Sequence, residues 1–187
     1  MEQKRLVGAR VVLRPWTDED LPAFAAMNAD PEVMRYFRAP LSREESDKVA
    51  QLIRSTTGTQ GWGWWALQVP EMEFAGFVGL SNVPFEASFT PAVEIGWRLA
   101  RAAWGYGYAT EGAHLALRYA FDELNLERVV SFTAVENMRS RHVMERLGMQ
   151  HEQDFDHPRL IGHPLCRHAL YAISKAQYTA NNAESFT

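Results

Sequence analysis

The sequence predicts an α+β, or mixed α/β, protein, and three observations carry that prediction. Seven short runs have strand character, and longer segments between them repeat their apolar residues at helical spacing. Their order is strand, helices, a run of strands, then strand–helix–strand–helix–strand–strand. With 187 residues, 47% of them hydrophobic and 22% charged, and with no internal repeat or linker, the chain reads as one domain over 1–187. The ordered core is expected over about 9–174, with a polar, frayed tail over 175–187.

Each element has a local reason. "ARVVLRPW" (9–16) is a strand that breaks at Pro15. Thr17 or Asp18 can cap the short helix in "TDEDLPAFAAMNAD", and Asp30 with Pro31 begins a turn through "PEVMRYF". Ser42 and Glu45 form a capping box for a helix to about Ser55, after which Gly58, Gly61 and Gly63 mark a loop. "WWALQV" (64–69) and "FAGFVGLSNV" (74–83) form a hairpin around "PEME", and "AVEIGWRL" (92–99) is a further strand. A helix from about Gly107 to Leu124 places Ala109, Ala113, Ala116, Leu117, Ala120, Phe121 and Leu124 on one face, and Glu111, Arg118 and Asp122 on the other. The strand "ERVVSFTAV" (127–135) leads to the helix "SRHVMERL" (140–147), which stops at Gly148, and two closing strands follow.

Bulk properties exclude several functions. A net charge of −4 offers no electrostatic case for nucleic acid or an anionic membrane. The first residues lack the apolar run of a secretory signal, and no apolar window is long enough to span a bilayer. The single Cys166 rules out an internal disulfide and suits a reducing compartment, so a cytoplasmic location is expected. Cys166 lies near His151, His157, His163 and His168, but their spacings do not form paired ligand clusters. No metal is expected.

The stretch "WGYGYATEG" raises the first chemical question. Gly105 and Gly107 sit at a helix entrance, where unpaired backbone N–H groups and a partial positive charge attract anions. Glycine permits the positive φ angles that turn successive N–H groups inward, and Ala109 and Thr110 continue a small, hydroxyl-bearing surface. A pyrophosphate cradle and a plain strand-to-helix turn are equally consistent with these residues. A Walker loop is excluded because no Gly-Lys-Ser/Thr follows. A dinucleotide fingerprint fits poorly, because Thr110 stands in place of a third glycine and "ARAAW" separates strand from glycines.

"ENMRSRHVMERLGM" adds a second question. Ser140 shares a stripe with Val143, Met144 and Leu147, and Asn137 lies just upstream. Either residue can cap the helix, or serve as a polar ligand on its inner face.

"VEIGWRL", "WGYGYATEG", "ENMRSRHVMERLGM" and "DFDHPRLIGHPLCRHALY" follow one another in the order found in the GNAT superfamily of acetyl-CoA-dependent N-acetyltransferases, which the chain resembles over about 9–174. "VVLRPWTDEDLPAFAAMNADPEVMRYF" is similar to the RimJ/RimL branch, which acetylates protein N-termini. The resemblance implies a mixed, mostly antiparallel sheet of about seven strands, with acetyl-CoA in a splay between "VEIGWRL" and "ERVVSFTAV". It implies that Gly105, Tyr106, Gly107, Ala109 and Thr110 bind the coenzyme's pyrophosphate. Ala102 departs from the family's Gln/Arg-x-x-Gly-x-Gly/Ala pattern, with Arg101 one residue early. Backbone N–H groups around Trp97, Arg98 and Leu99 would hold the thioester carbonyl and pantetheine. Asn137 and Ser140 match the family's positions near the pantetheine arm and thiol, and Tyr36 and Phe37 fall where its acceptor groove is bordered.

Acetyl transfer to an amine needs a base for the amine, donors for the oxyanion and a proton for the leaving thiolate. Direct transfer needs no acyl-enzyme, so Cys166 reads as a structural thiol. Glu94 is the candidate base: on "AVEIGWRL" it alternates with Val93, Ile95, Trp97 and Leu99 and shares its face with Gly96 and Arg98. An ordinary Glu94–Arg98 ion pair on a solvated face is the competing interpretation. Ser140 is the candidate proton donor, with Tyr171 at the end of the last strand as rival. The acceptor is expected to be a primary amine, first a protein N-terminus and alternatively a small molecule, in a monomer or homodimer. A non-catalytic acyl-CoA-binding module is the alternative from another class.

Overall fold

The computed structural model describes residues 3–184. It is an α+β structure with an open mixed sheet of eight strands, ordered β1-β2-β3-β4-β5-β6-β8-β7, and five flanking α-helices. The expected seven strands become eight because a short strand ahead of the expected first one, β1 (Leu6–Val7), pairs antiparallel with β2 (Val12–Arg14). The chain resolves into two compact units, one of residues 1–80 and 97–116, the other of residues 81–96 and 117–187.

The first unit holds helices α1 (Asp20–Ala29) and α2 (Arg43–Gln60), then the hairpin of β3 (Trp64–Val69) and β4 (Met72–Asn82). The capping box forms as read: Ser42 Oγ accepts the N–H of Glu45, whose carboxylate accepts the N–H of Ser42. The helix then runs through Gly58 and stops at Gly61, well beyond Ser55. At α1, neither Thr17 nor Asp18 supplies the cap. Asp20 instead accepts the N–H of Thr17 and pairs with Arg14 at 2.7 and 2.8 Å, while Asp18 pairs with Arg54. Phe24 packs edge to face with Trp16, Phe74 and Phe77, and these rings join Ala50, Ile53 and Ala66 in this unit's core.

The strand β5 (Val93–Leu99) and helix α3 (Tyr108–Arg118) contribute residues to both units. The helix continues as a wider turn over Tyr119–Glu123, and its Ala113, Ala116, Leu117, Ala120 and Phe121 are buried as the spacing predicts.

In the second unit β5 runs parallel to β6 (Arg128–Ala134) with Glu94 opposite Val130. The helix α4 (Met138–Arg146) ends before Gly148, at φ 77°. The strand β7 (Gln150–Asp156) is antiparallel to β8 (Arg167–Ser174), which pairs with β6 from Arg128↔Ser174 to Ala134↔His168. The tail is not frayed. Residues 175–184 form α5 (Lys175–Glu184), where Tyr178 lies 4.8 Å from the Phe121 ring and Ser174 accepts the N–H of Gln177. Residues 185–187 of the expected tail lie outside the described residues. No helix among the described residues is long and apolar enough to cross a membrane.

Candidate active site

The glycine stretch joins β5 to α3 through a short helical turn at Arg101–Ala103. Trp104 pins this connection by donating its Nε1–H to the carbonyl of Leu99 at 2.9 Å. Gly105 and Gly107 then take φ angles of 86° and 81°, a conformation that L side chains resist. A Cβ at Gly105 would meet nothing within 4 Å, so its backbone faces open space. Arg10 donates to the carbonyl of Tyr106 at 3.0 Å, and Glu111 in the first turn of α3 accepts from the Arg10 backbone at 2.7 Å. The rings of Tyr106 and Tyr108 stack 5.4 Å apart, and Tyr106 is exposed. Thr110 Oγ1 is buried with no hydrogen-bond partner. Two left-handed glycines, a helix start and an orphaned hydroxyl together fit an anionic ligand such as a pyrophosphate.

The same unit holds five other predicted positions. Trp97 is half-buried and Leu99 buried on β5. The guanidinium of Arg98 lies 3.9 Å from the ring of Phe37, which is exposed at 40%. The Nη1 of Arg98 donates to Asn28 Oδ1 at 2.7 Å, so the side chain is turned to Asn28 rather than used in the ordinary pair with Glu94. Phe37 thus meets a predicted site residue, whereas the Tyr36 ring has the guanidinium of its neighbour Arg35 at 5.8 Å.

In the second unit Glu94 is half-buried, and its carboxylate has no hydrogen-bond partner among the described residues. Burial pushes its pKa up to about 7, with the positive charge of Arg159 pulling the other way. A carboxyl poised there can accept a proton near neutral pH. The β5–β6 register places Glu94 on the same sheet face as Val130, Phe132, Leu170 and His168. On that face Phe85, Phe89, Phe132 and Phe155 cluster around His157 and His168, a feature sequence reading missed. Its one local signal was the four-residue spacing of Phe85 and Phe89. Burial, then the neighbouring His168, draws His157 down to about 4, so its ring is neutral.

Asn137 and Ser140 do come together, at the start of α4. Asn137 Nδ2 donates to Thr133 Oγ1 at 2.9 Å and to Ser140 Oγ at 3.1 Å, and its Oδ1 accepts the Ser140 N–H at 3.4 Å. Asn137 is therefore a helix cap, and it also orients the Ser140 hydroxyl. Tyr171 is not at the end of its strand: it is buried in the middle of β8, accepting from Arg141 Nε at 3.2 Å and donating to Glu145 Oε1 at 3.2 Å. Its proton is committed to a structural contact. No group of three or more His, Cys, Asp or Glu side chains among the described residues is arranged to hold a metal ion.

Comparison with known proteins follows the same outline. The family model described as an acetyltransferase (GNAT) domain matches residues 10–150. The chain is 38% identical over 160 residues to the FsC-acetyl coenzyme A-N(2)-transacetylase of Aspergillus fumigatus, covering 82% of this chain and 68% of that protein. An acetyltransferase structure from Agrobacterium tumefaciens superposes with a TM-score of 0.76 at 26% identity, over 92% of this chain and 95% of that one. Mycobacterium smegmatis RimJ, in complex with CoA-disulfide, superposes with a TM-score of 0.75 over 97% and 98% of the two chains; at 19% identity that likeness is one of fold.

Proposed function

Because the chain belongs to the GNAT family of acetyltransferases, and is an N-acetyltransferase using acetyl-CoA, we propose that it moves the acetyl group directly onto a primary amine with Glu94 as the base. In this reading the whole chain, 1–187, acts as one such domain in a reducing, cytoplasmic setting. The observation that carries the reading is the Glu94 carboxyl: enclosed, without a hydrogen-bond partner among the described residues, and pushed up to about 7 by burial.

A protonated amine cannot attack a carbonyl, so its proton must leave first, to Glu94 or to a water beside it. The amine nitrogen then bonds to the acetyl carbon as the carbon–sulfur bond breaks, and the second proton, shed by the nitrogen as it becomes an amide, goes to the thiolate. Ser140, held by Asn137, is the residue proposed to hydrogen-bond the sulfur there. The N–H groups of Gly105, Tyr106, Gly107, Ala109 and Thr110 hold the pyrophosphate, and those of Trp97, Arg98 and Leu99 hold the carbonyl and pantetheine amides. Binding both substrates at once supplies most of what a covalent intermediate would otherwise supply.

Of the two acceptor classes, a small-molecule amine comes first. It is supported by the Aspergillus fumigatus relative, whose name specifies an N(2) amine and which is 38% identical. A protein N-terminus, the RimJ/RimL-type acceptor, has the sequence motifs behind it and a neighbour at 19% identity. Free Glu94 weighs against a module that only binds coenzyme. The test is thiol release from acetyl-CoA with small amines and with peptides bearing free N-termini, supplied at equal concentrations. Faster release with small amines supports this order, faster release with peptides reverses it, and no release with either defeats the enzymatic assignment of these residues.

A further inference from the structure

The guanidinium of Arg98 has no place in the chemistry above, which uses only its backbone. It is a cation in a neutral enclosure. Its Nη1 donates to Asn28 Oδ1 at 2.7 Å, and the Asn28 amide donates in turn to Ser46 Oγ at 2.9 Å. Asn28 and Ser46 are fully buried. Phe37 and Phe77 lie against the guanidinium at 3.9 and 5.3 Å. No carboxylate meets Arg98 among the described residues, and its Nε is buried without a partner.

This differs from the way the chain treats its other enclosed guanidinium. Arg14 meets Asp20 through two bonds of 2.7 and 2.8 Å. A buried charge without a counterion is costly, and an orphaned donor adds to that cost. Asn28, Ser46 and the phenyl rings cannot neutralise a positive charge; burial accordingly draws the guanidinium down to about 10. The bond to Asn28 occupies the Nη1 side and leaves Nε and Nη2, the lateral edge whose two parallel N–H bonds match a carboxylate. A single fixed positive charge with a planar edge matches a planar monoanion.

We infer that the Nε–Nη2 edge of Arg98, backed by Asn28 and covered by Phe37, receives a carboxylate carried by the acceptor. The substrate class becomes an amine that also bears a carboxylate. This rests on the acetyl-transfer reading above, and it makes Arg98 a determinant of which amine is accepted.

The test is a binding measurement that needs no turnover. Alanine and phenylalanine, each N-acetylated as a product would be, are titrated as free acid and as primary amide. They are added to the wild-type chain, Arg98→Gln and Arg98→Lys, with the arginine Nε–Hε resonances followed by NMR. The acids should bind wild type about 10-fold more tightly than the amides and shift the Arg98 signal. Arg98→Gln should show no preference, and Arg98→Lys, which keeps the charge but not the fork, a reduced one. Equal binding of acid and amide to wild type, a preference that survives in Arg98→Gln, or an Arg98 signal that responds to coenzyme A and not to the acids would each overturn the inference. Should Arg98→Gln not fold, the wild-type resonance and Arg98→Lys decide. Failure of acetyl transfer to every amine would defeat the earlier reading by a separate measurement.

Discussion

Glu111, in the first turn of α3, accepts the backbone N–H of Arg10 at 2.7 Å and the Nε–H of the same residue's guanidinium at 2.9 Å. The neighbouring N–H of Val11 adds a third donor at 3.3 Å. Sequence spacing places Glu111 on the face opposite the apolar stripe, and from there it fastens the helix that begins at the glycine stretch to the residues leading into β2. Glu111→Ala strands those donors and should cost about 1–3 kcal/mol in urea unfolding at pH 7. Burial works against its charge, but the bonds from Arg10 prevail and hold its carboxyl below the ordinary 4.5. The stabilisation is therefore present above about pH 4.5 and is lost as pH falls through the lower native value. The difference between variant and wild type should shrink in acid.

Gly107→Val should lose acetyl-CoA affinity by at least about 10-fold in calorimetric titration, because a β-branched residue at φ 81° is strained by about 1–2 kcal/mol and pulls the N–H groups out of register. Gly58→Ala is the control: it lies inside α2 with nothing near a new Cβ, and should add about 0.5–1 kcal/mol of stability with coenzyme affinity intact. Unchanged affinity in a folded Gly107→Val would reduce the stretch to a turn.

Glu94 as base sets a pH profile. With its carboxyl at about 7, kcat/KM should rise with pH and level off above neutrality, falling about 10-fold for each unit below. Glu94→Gln should lower turnover by about 100-fold or more and remove that limb, leaving acetyl-CoA binding measurable. Persistence of the same limb in the variant would assign it to another group.

The same carboxyl makes a stability prediction of the opposite sign to Glu111. Its native value is raised from 4.5 to about 7, so between those values the native state holds a proton that the unfolded chain releases. Its contribution is full below about pH 4.5 and is lost as pH rises through about 7. Glu94→Gln should therefore match wild type at pH 4 and exceed it by about 1–3 kcal/mol at pH 8, read from urea midpoints. Equal midpoints at both pH values would mean that the carboxyl is well solvated.

At the start of α4, Asn137→Ala removes both the cap and the hydrogen bond that orients Ser140, and should cost about 1 kcal/mol of stability together with a fall in kcat. Ser140→Ala should preserve the cap, because Asn137 Oδ1 accepts from the backbone of residue 140. A kcat loss in Ser140→Ala with stability retained separates the hydroxyl's role from the helix's.

What could be read in advance divides by distance along the chain. The capping box of Ser42 and Glu45, the helix end at Gly148, and the backbone of Gly105 and Gly107 depend on residues a few positions apart, and the sequence displays them, whereas the end at Gly61 lies beyond the expected Ser55. The tail was misread because α5 is polar in composition. Its anchors, Tyr178 on Phe121 and Gln177 on Ser174, appear only once the chain has folded back. Arg98 shows the limit most clearly. Alternation placed it on the face of Glu94, but Asn28, seventy residues away, determines where the guanidinium goes. The same holds for Glu111, whose partners lie a hundred residues upstream.

The two units interleave along the chain, the first reopening at residues 97–116 after the second has begun at 81–96. On a ribosome this order has a temporal meaning. The first eighty residues leave the exit tunnel with Trp16, Phe24, Phe74 and Phe77 available to pack, but their unit lacks its last strand end and helix start. At ~5–20 residues per second that gap lasts a few seconds, during which the nascent chain presents unsealed apolar surface. A pause in translation between residues 80 and 116 would prolong it. Neither unit can be made as one uninterrupted fragment: the first is whole only once residue 116 has emerged, and the second only once the residues after 117 have followed.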